Sequence, residues 1–151
     1  MYIWKTASLA KDIKENNLTD EQWKNYYLAG SILLTLSTYL INISPRMGTS
    51  LLIEMLVVLA VILLGINITF NTNIKGGGSG SDYIARVTAL SLPILIKVYL
   101  LAIIFGVCVG ALEVVLSIDK AVSASVISVF TILIQVLVFW RINTHLKAIN
   151  A

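Results

Sequence analysis

Apolar residues along this chain come in four long blocks separated by short polar interruptions: Tyr26 to Ile43, Leu51 to Phe70, Ile94 to Leu116 and Val122 to Trp140. A bilayer core about 30 Å thick is crossed by a helix of roughly 20 apolar residues, and each block is of that order. Backbone amides left unpaired in hydrocarbon are costly, so runs of this kind are expected to be helices and not open strands. The pattern predicts an all-α polytopic membrane protein with four transmembrane helices. The short connections Ser44 to Ser50 and Ser117 to Ala121 predict two antiparallel hairpins. A Gly/Ser loop over residues 71–82 is expected to join them.

Residues 1–17 form a segment of their own. Tyr2, Ile3, Thr6, Leu9, Ala10 and Ile13 share one helical face, and Lys5, Asp12 and Glu15 fall on the other. This spacing predicts a short amphipathic helix, read either as a solvated tail or as a helix lying at the membrane interface. It lacks the uninterrupted apolar core of a secretory signal. The bundle then occupies residues 18–151, opened by Thr19 and Gln22 in a capping-box pattern. From Tyr83 to Leu116 the chain could run 34 helical residues, about 51 Å at 1.5 Å per residue, which exceeds the hydrocarbon thickness. Pro93 is expected to break it, because proline lacks an amide hydrogen and disfavours helix at the residue before it. Lys97 would then snorkel outward from just inside the edge of the third span.

Composition agrees with this reading: of 151 residues, 58% are hydrophobic and 13% charged, against roughly a quarter charged in soluble domains. Nine Lys and Arg fall beside the termini and the Gly/Ser loop and two, Arg46 and Lys120, on the opposite side. The positive-inside rule therefore predicts cytoplasmic N- and C-termini. The net charge of +3 is spread too thinly to suggest a nucleic-acid surface. Cys108 is the sole cysteine and His145 the sole histidine, so no disulfide, thiolate cluster or metal site is expected. Cys108, in mid-helix, is expected to be a small buried hydrophobe. No cofactor motif and no catalytic set of side chains emerges, and an enzyme is not expected.

Several polar and small residues within the blocks are candidates for function. The stretch "GGGSGS" lacks the strand and the Lys-Ser/Thr pair of a phosphate loop. It is expected to be a flexible connector with Ser81 or Asp82 capping the next helix and Asp82 paired with Arg86. The alternative is a cradle in which loop amides and Arg86 hold a lipid or nucleotide phosphate. Ser31, Thr35, Thr38 and Asn42 form a polar stripe on the first span, and Ser128, Thr131 and Gln135 form another on the fourth. Such stripes bond neighbouring helices or line a wet path. Ala102, Gly106 and Gly110 on the third span allow close helix approach. Glu54 and Glu113 place carboxylates inside spans, where each must be paired, protonated or near water. Pairing with Arg46 and Lys120 is one reading. Proton or cation handling by Glu54, with Glu113 and Lys97 as further candidates, is the other.

The start "YIWKTASLAKDI", the glycine loop running into "SDYIARVTALSLPILIK" and the four-block layout resemble a group of small bacterial four-helix inner-membrane proteins. The resemblance implies a bacterial cytoplasmic membrane and transfers no functional residue. Small multidrug exporters also carry an intramembrane glutamate, but "LLIEML" around Glu54 lacks the small residues of their motif. The reading that follows is a non-enzymatic membrane protein acting as a homo-oligomer or with a partner protein. It would be a pore-type defence effector or a toxin-immunity protein. The alternative is a small ion-coupled transporter or channel using Glu54.

Overall fold

The computed structural model describes residues 4–19, 21–23, 25–30, 33 and 49–151. Among them every regular element is helical. The elements are α1 (Thr6–Lys14), α2 (Thr49–Lys75), α3 (Gly80–Leu116) and α4 (Lys120–Asn150). Residues 21–23, 25–30 and 33 are also helical, but most of the first predicted span and its connection to α2 lie outside the described residues. The predicted capping box is formed: the Thr19 amide donates to Gln22 Oε1 at 3.0 Å and the Gln22 amide to Thr19 Oγ1 at 3.3 Å.

Three of the described helices, α2, α3 and α4, are long and apolar enough to cross a membrane. In their most apolar windows only 11%, 22% and 11% of residues are buried by the protein itself. Side chains such as Leu63, Ile104 and Leu133 point outward at 60% exposure or more. An apolar surface of that extent suits hydrocarbon as its solvent. Cys108, expected to be buried, belongs to this exposed surface.

Burial concentrates instead at one end of the bundle, here called the proximal end, where α2 finishes, α3 begins and α4 finishes. Leu9, Ala10 and Ile13 of α1, Leu90, Leu92 and Ile94 of α3, and Ile142, Leu146 and Ile149 of α4 form a continuous buried cluster there. The face of α1 read from its spacing is the buried one, with Lys5, Lys11 and Lys14 exposed. It is covered by α3 and α4 and so needs no lipid to hide it. Helix α4 packs along both α2 and α3, which touch each other little.

Two expectations are overturned at this end. Pro93 does not break the chain, since α3 runs unbroken for 37 residues, about 55 Å at the α-helical rise. An internal proline costs roughly 3 kcal/mol. Here Pro93 and Leu92 are almost wholly buried, and the packing of that turn against the proximal cluster offsets the cost. The connection between α2 and α3 is also much shorter than the expected loop 71–82. Helix α2 continues to Lys75 and α3 starts at Gly80, leaving residues 76–79 between them.

Those residues form a double cap. The Gly78 amide donates to Asn73 O and the Gly77 amide to Ile74 O, each at 3.0 Å, the paired bonds of a Schellman motif. Gly77 takes the left-handed conformation that this motif requires, at φ 82°, where a side chain would be strained. Ser79, not Ser81 or Asp82, is the N-cap of α3. Its hydroxyl accepts from the Asp82 amide at 3.1 Å, and Asp82 Oδ2 accepts from the Ser79 amide at 2.9 Å. Asp82 thus completes a capping box.

Candidate functional site

Polar side chains at the proximal end join all three long helices. Asn73, fully buried on α2, donates from Nδ2 to Ser79 O at 2.9 Å. Its Oδ1 accepts from Arg86 Nη1 of α3 at 3.0 Å. The same Nη1 reaches Asn150 Oδ1 of α4 at 3.3 Å, and Asn150 Nδ2 donates to Thr72 O at 2.8 Å. Thr72 Oγ1 donates to Asn143 Oδ1 at 2.7 Å. One turn earlier on α2, the hydroxyls of Thr69 and Tyr83 bond at 2.9 Å, with the Tyr83 ring edge-on to Phe70. Among the described residues no buried side-chain polar atom lacks a partner. This is expected where an unmet buried donor or acceptor costs on the order of 1–3 kcal/mol.

The predicted candidates fall around this network in different ways. Arg86 serves Asn73 and Asn150, while the Asp82 carboxylate expected beside it is occupied with the Ser79 amide. Glu54, half-buried on α2, accepts a hydrogen bond from the hydroxyl of Ser128 on α4. The structure therefore brings together one candidate carboxylate and one member of a candidate stripe. Thr131 returns its hydroxyl to Ile127 O of its own helix at 2.9 Å, which satisfies it without a neighbour. Gln135 and Glu113 are half-buried on α4 and α3. The expected partner Arg46 and the stripe Ser31, Thr35, Thr38 and Asn42 lie outside the described residues.

The glycines divide sharply. A Cβ on Gly65 of α2 would overlap the Phe139 ring of α4, and one on Gly76 would overlap the Asn150 side chain. At Gly78 a Cβ would lie 2.6 Å from Asn73 Nδ2. At Gly106 and Gly110 of α3, by contrast, nothing stands within 4 Å, and Ala102 is half-buried. The small-residue face read from the sequence is therefore not filled by the described part of its own chain.

No family model, curated protein or solved structure matches this chain.

Function must accordingly be read from the geometry. Among the described residues no group of three or more His, Cys, Asp or Glu side chains stands ready to hold a metal. Sequence reasoning passed over Asn73, Thr72, Asn143 and Asn150. Asparagines at helix ends are common, and the signal that could have singled out Thr72, Asn73 and Asn143 was their position within a turn of the end of an apolar block; Asn150, well beyond Trp140, carried no such signal. Lys97, expected to snorkel outward, donates from Nζ to Thr6 Oγ1 of α1 at 3.1 Å. It thereby fastens the amphipathic helix to the third span.

Proposed function

We propose that this chain is a non-enzymatic integral membrane protein that works within an assembly, as a homo-oligomer or against a membrane partner. In this reading four spans in two hairpins lie in a bacterial cytoplasmic membrane with both termini cytoplasmic. The observation that carries it is the contrast between glycines. Gly65 receives Phe139 from a neighbouring helix, whereas Gly106 and Gly110, spaced for the same use, have nothing of the described chain against them. Helix association in lipid depends on such close backbone approach, because apolar side chains gain little by leaving lipid for one another. The polar side chains of the proximal network bond to one another across helices, which supports a scaffold more than a catalyst. Pore formation in defence and immunity to a membrane toxin are both served by an assembly of this sort.

Cross-linking in membranes and native mass spectrometry in mild detergent are expected to show an oligomer or a defined complex. Overpacking a close interface costs about 1–3 kcal/mol, so Gly106→Leu is expected to weaken the assembly about tenfold or more. A strictly monomeric particle without a partner would overturn the reading.

The contact between Glu54 and Ser128 favours a second reading, a small ion-coupled transporter or channel. A carboxylate held between two spans by a neutral hydroxyl is suited to exchanging a proton. In proteoliposomes Glu54→Gln is then expected to abolish pH-driven flux with the helical content unchanged. Wild-type vesicles that pass none of the common cations would dispose of it.

A further inference from the structure

Between the start of α1 and the helices it packs on lies a cleft of about 490 Å³. Its polar side is basic. Lys5, Lys97, Arg141 and His145 line it, and no acidic residue does among those described. Its floor is apolar, made by Ile94, Val98 and Leu101 of α3 and Leu137 of α4.

Three independent features match one kind of ligand. The first is level: with the apolar blocks taken as the spans, Ile94 opens the third and Arg141 directly follows the fourth, which sets the cleft at the expected boundary between hydrocarbon and headgroups. Exposed Trp4 lines the cleft and exposed Trp140 adjoins Arg141, as suits a boundary where tryptophan is enriched, and the Arg141 guanidinium lies 5.2 Å from the Trp140 ring centre. The second is charge: Lys5, Lys97 and Arg141 bring three fixed positive charges to one small volume. Helix α1 adds the amides of Thr6, Ala7 and Ser8. Its N-cap, Lys5, makes no side-chain capping bond and its first turn carries no acid, so neither offsets the positive end of the helix. The third is lining, since the same cleft that carries the basic side chains is also lined by Val98, Leu101 and Leu137, which lie further into the third and fourth apolar blocks than Lys97 and Arg141 or Ile94 do.

We propose that this cleft holds an anionic phospholipid, its phosphate among Lys97, Arg141, His145 and the first turn of α1, and one acyl chain along Val98, Leu101 and Leu137. Lys97 spends one donor on Thr6, and its remaining hydrogens serve the phosphate. The lipid then bridges α1 to α3 and α4, so occupancy and docking of the amphipathic helix are coupled. None of Ala102, Gly106 and Gly110 lines the cleft, and the proposal does not depend on whether the protein assembles through their face of α3.

The test is native mass spectrometry of the full chain released from vesicles of equal phosphatidylglycerol and phosphatidylcholine. Each basic residue near a membrane surface contributes a separable share of anionic-lipid attraction, so Lys97→Gln combined with Arg141→Gln is expected to reduce retained phosphatidylglycerol by about tenfold or more. Lys14→Gln combined with Lys147→Gln removes the same charge outside the cleft and should leave retention unchanged. Leu137→Trp keeps every charge and fills the groove, and should also release the lipid; it keeps the proposal testable if the double variant does not fold. Equal retention by all variants, or equal loss in the Lys14 and Lys147 control, would show only general surface attraction and overturn the proposal. Binding of inorganic phosphate that survives Leu137→Trp and displaces the lipid would assign the cleft to a soluble anion and overturn it as well.

Discussion

Replacing Asn73 with alanine is expected to destabilise the proximal end by roughly 2–4 kcal/mol, the order of cost when a buried hydrogen-bonding hub is removed and its partners are left unmet. Asn73 is fully buried, and its side chain satisfies the Ser79 carbonyl and the Arg86 guanidinium together. The glycines beside it are expected to respond in the same direction for a steric reason. Alanine at Gly76 would displace Asn150, and alanine at Gly78 would press on Asn73 itself. Gly77→Ala keeps the contacts but places a side chain at φ 82°, at a cost of roughly 1–2 kcal/mol. Thermal unfolding in detergent, followed by circular dichroism, is the measurement. A Gly76–Gly78 segment exchanged for serines with no loss of stability would show that the connection is slack and that its hydrogen bonds are incidental.

That expectation reverses what the sequence suggests for this segment, and the reason is physical. Glycine and serine side chains carry almost no long-range information, so a run of them reads as flexibility. What makes the run rigid is outside it: Asn73 one turn earlier, Arg86 beyond the next cap, and Asn150 at the far end of the chain. The three long helices were legible because the length of an apolar block is a local property tied directly to bilayer thickness. Their extent at the proximal end was not. Pro93 argued locally for a break, and the cluster of Leu9, Leu90, Ile142 and Leu146 that holds the turn in place is assembled from distant segments.

The candidate sites divide along the same line. Counting Lys and Arg along the chain assigned Lys5, Lys97 and Arg141 to one side of the membrane, and in the structure the three line a single cleft. Taken singly, each has an unremarkable explanation as a topology signal or a snorkelling side chain. Their convergence becomes visible only once α1 is seen to fold back against α3 and α4. The link between Glu54 and Ser128 is likewise invisible to periodicity, which places each residue on a helix face and leaves open which faces meet.

A second large effect is expected inside the bundle, at Gly65. Helix α4 approaches α2 so closely there that a Cβ would overlap the Phe139 ring. One turn away, the Thr69 hydroxyl donates to Gly65 O at 2.7 Å while bonded to Tyr83. Gly65→Leu must therefore push α4 outward or rotate Phe139 from its place, and overpacking of this kind costs about 1–3 kcal/mol, occasionally more. Because lipid offers displaced helices an equally apolar solvent, little opposes their separation once close contact is lost. The expected readout is a lower unfolding temperature and earlier proteolysis. Phe139→Ala made together with Gly65→Leu should recover part of the loss by vacating the space the new side chain needs. The same leucine at Gly106, where nothing of the described chain stands within 4 Å, should leave the stability of the single chain near wild type and act only on assembly. If Gly106→Leu destabilises the isolated chain as much as Gly65→Leu, then α3 already uses that face within its own fold, and the assembly proposed through it loses its ground.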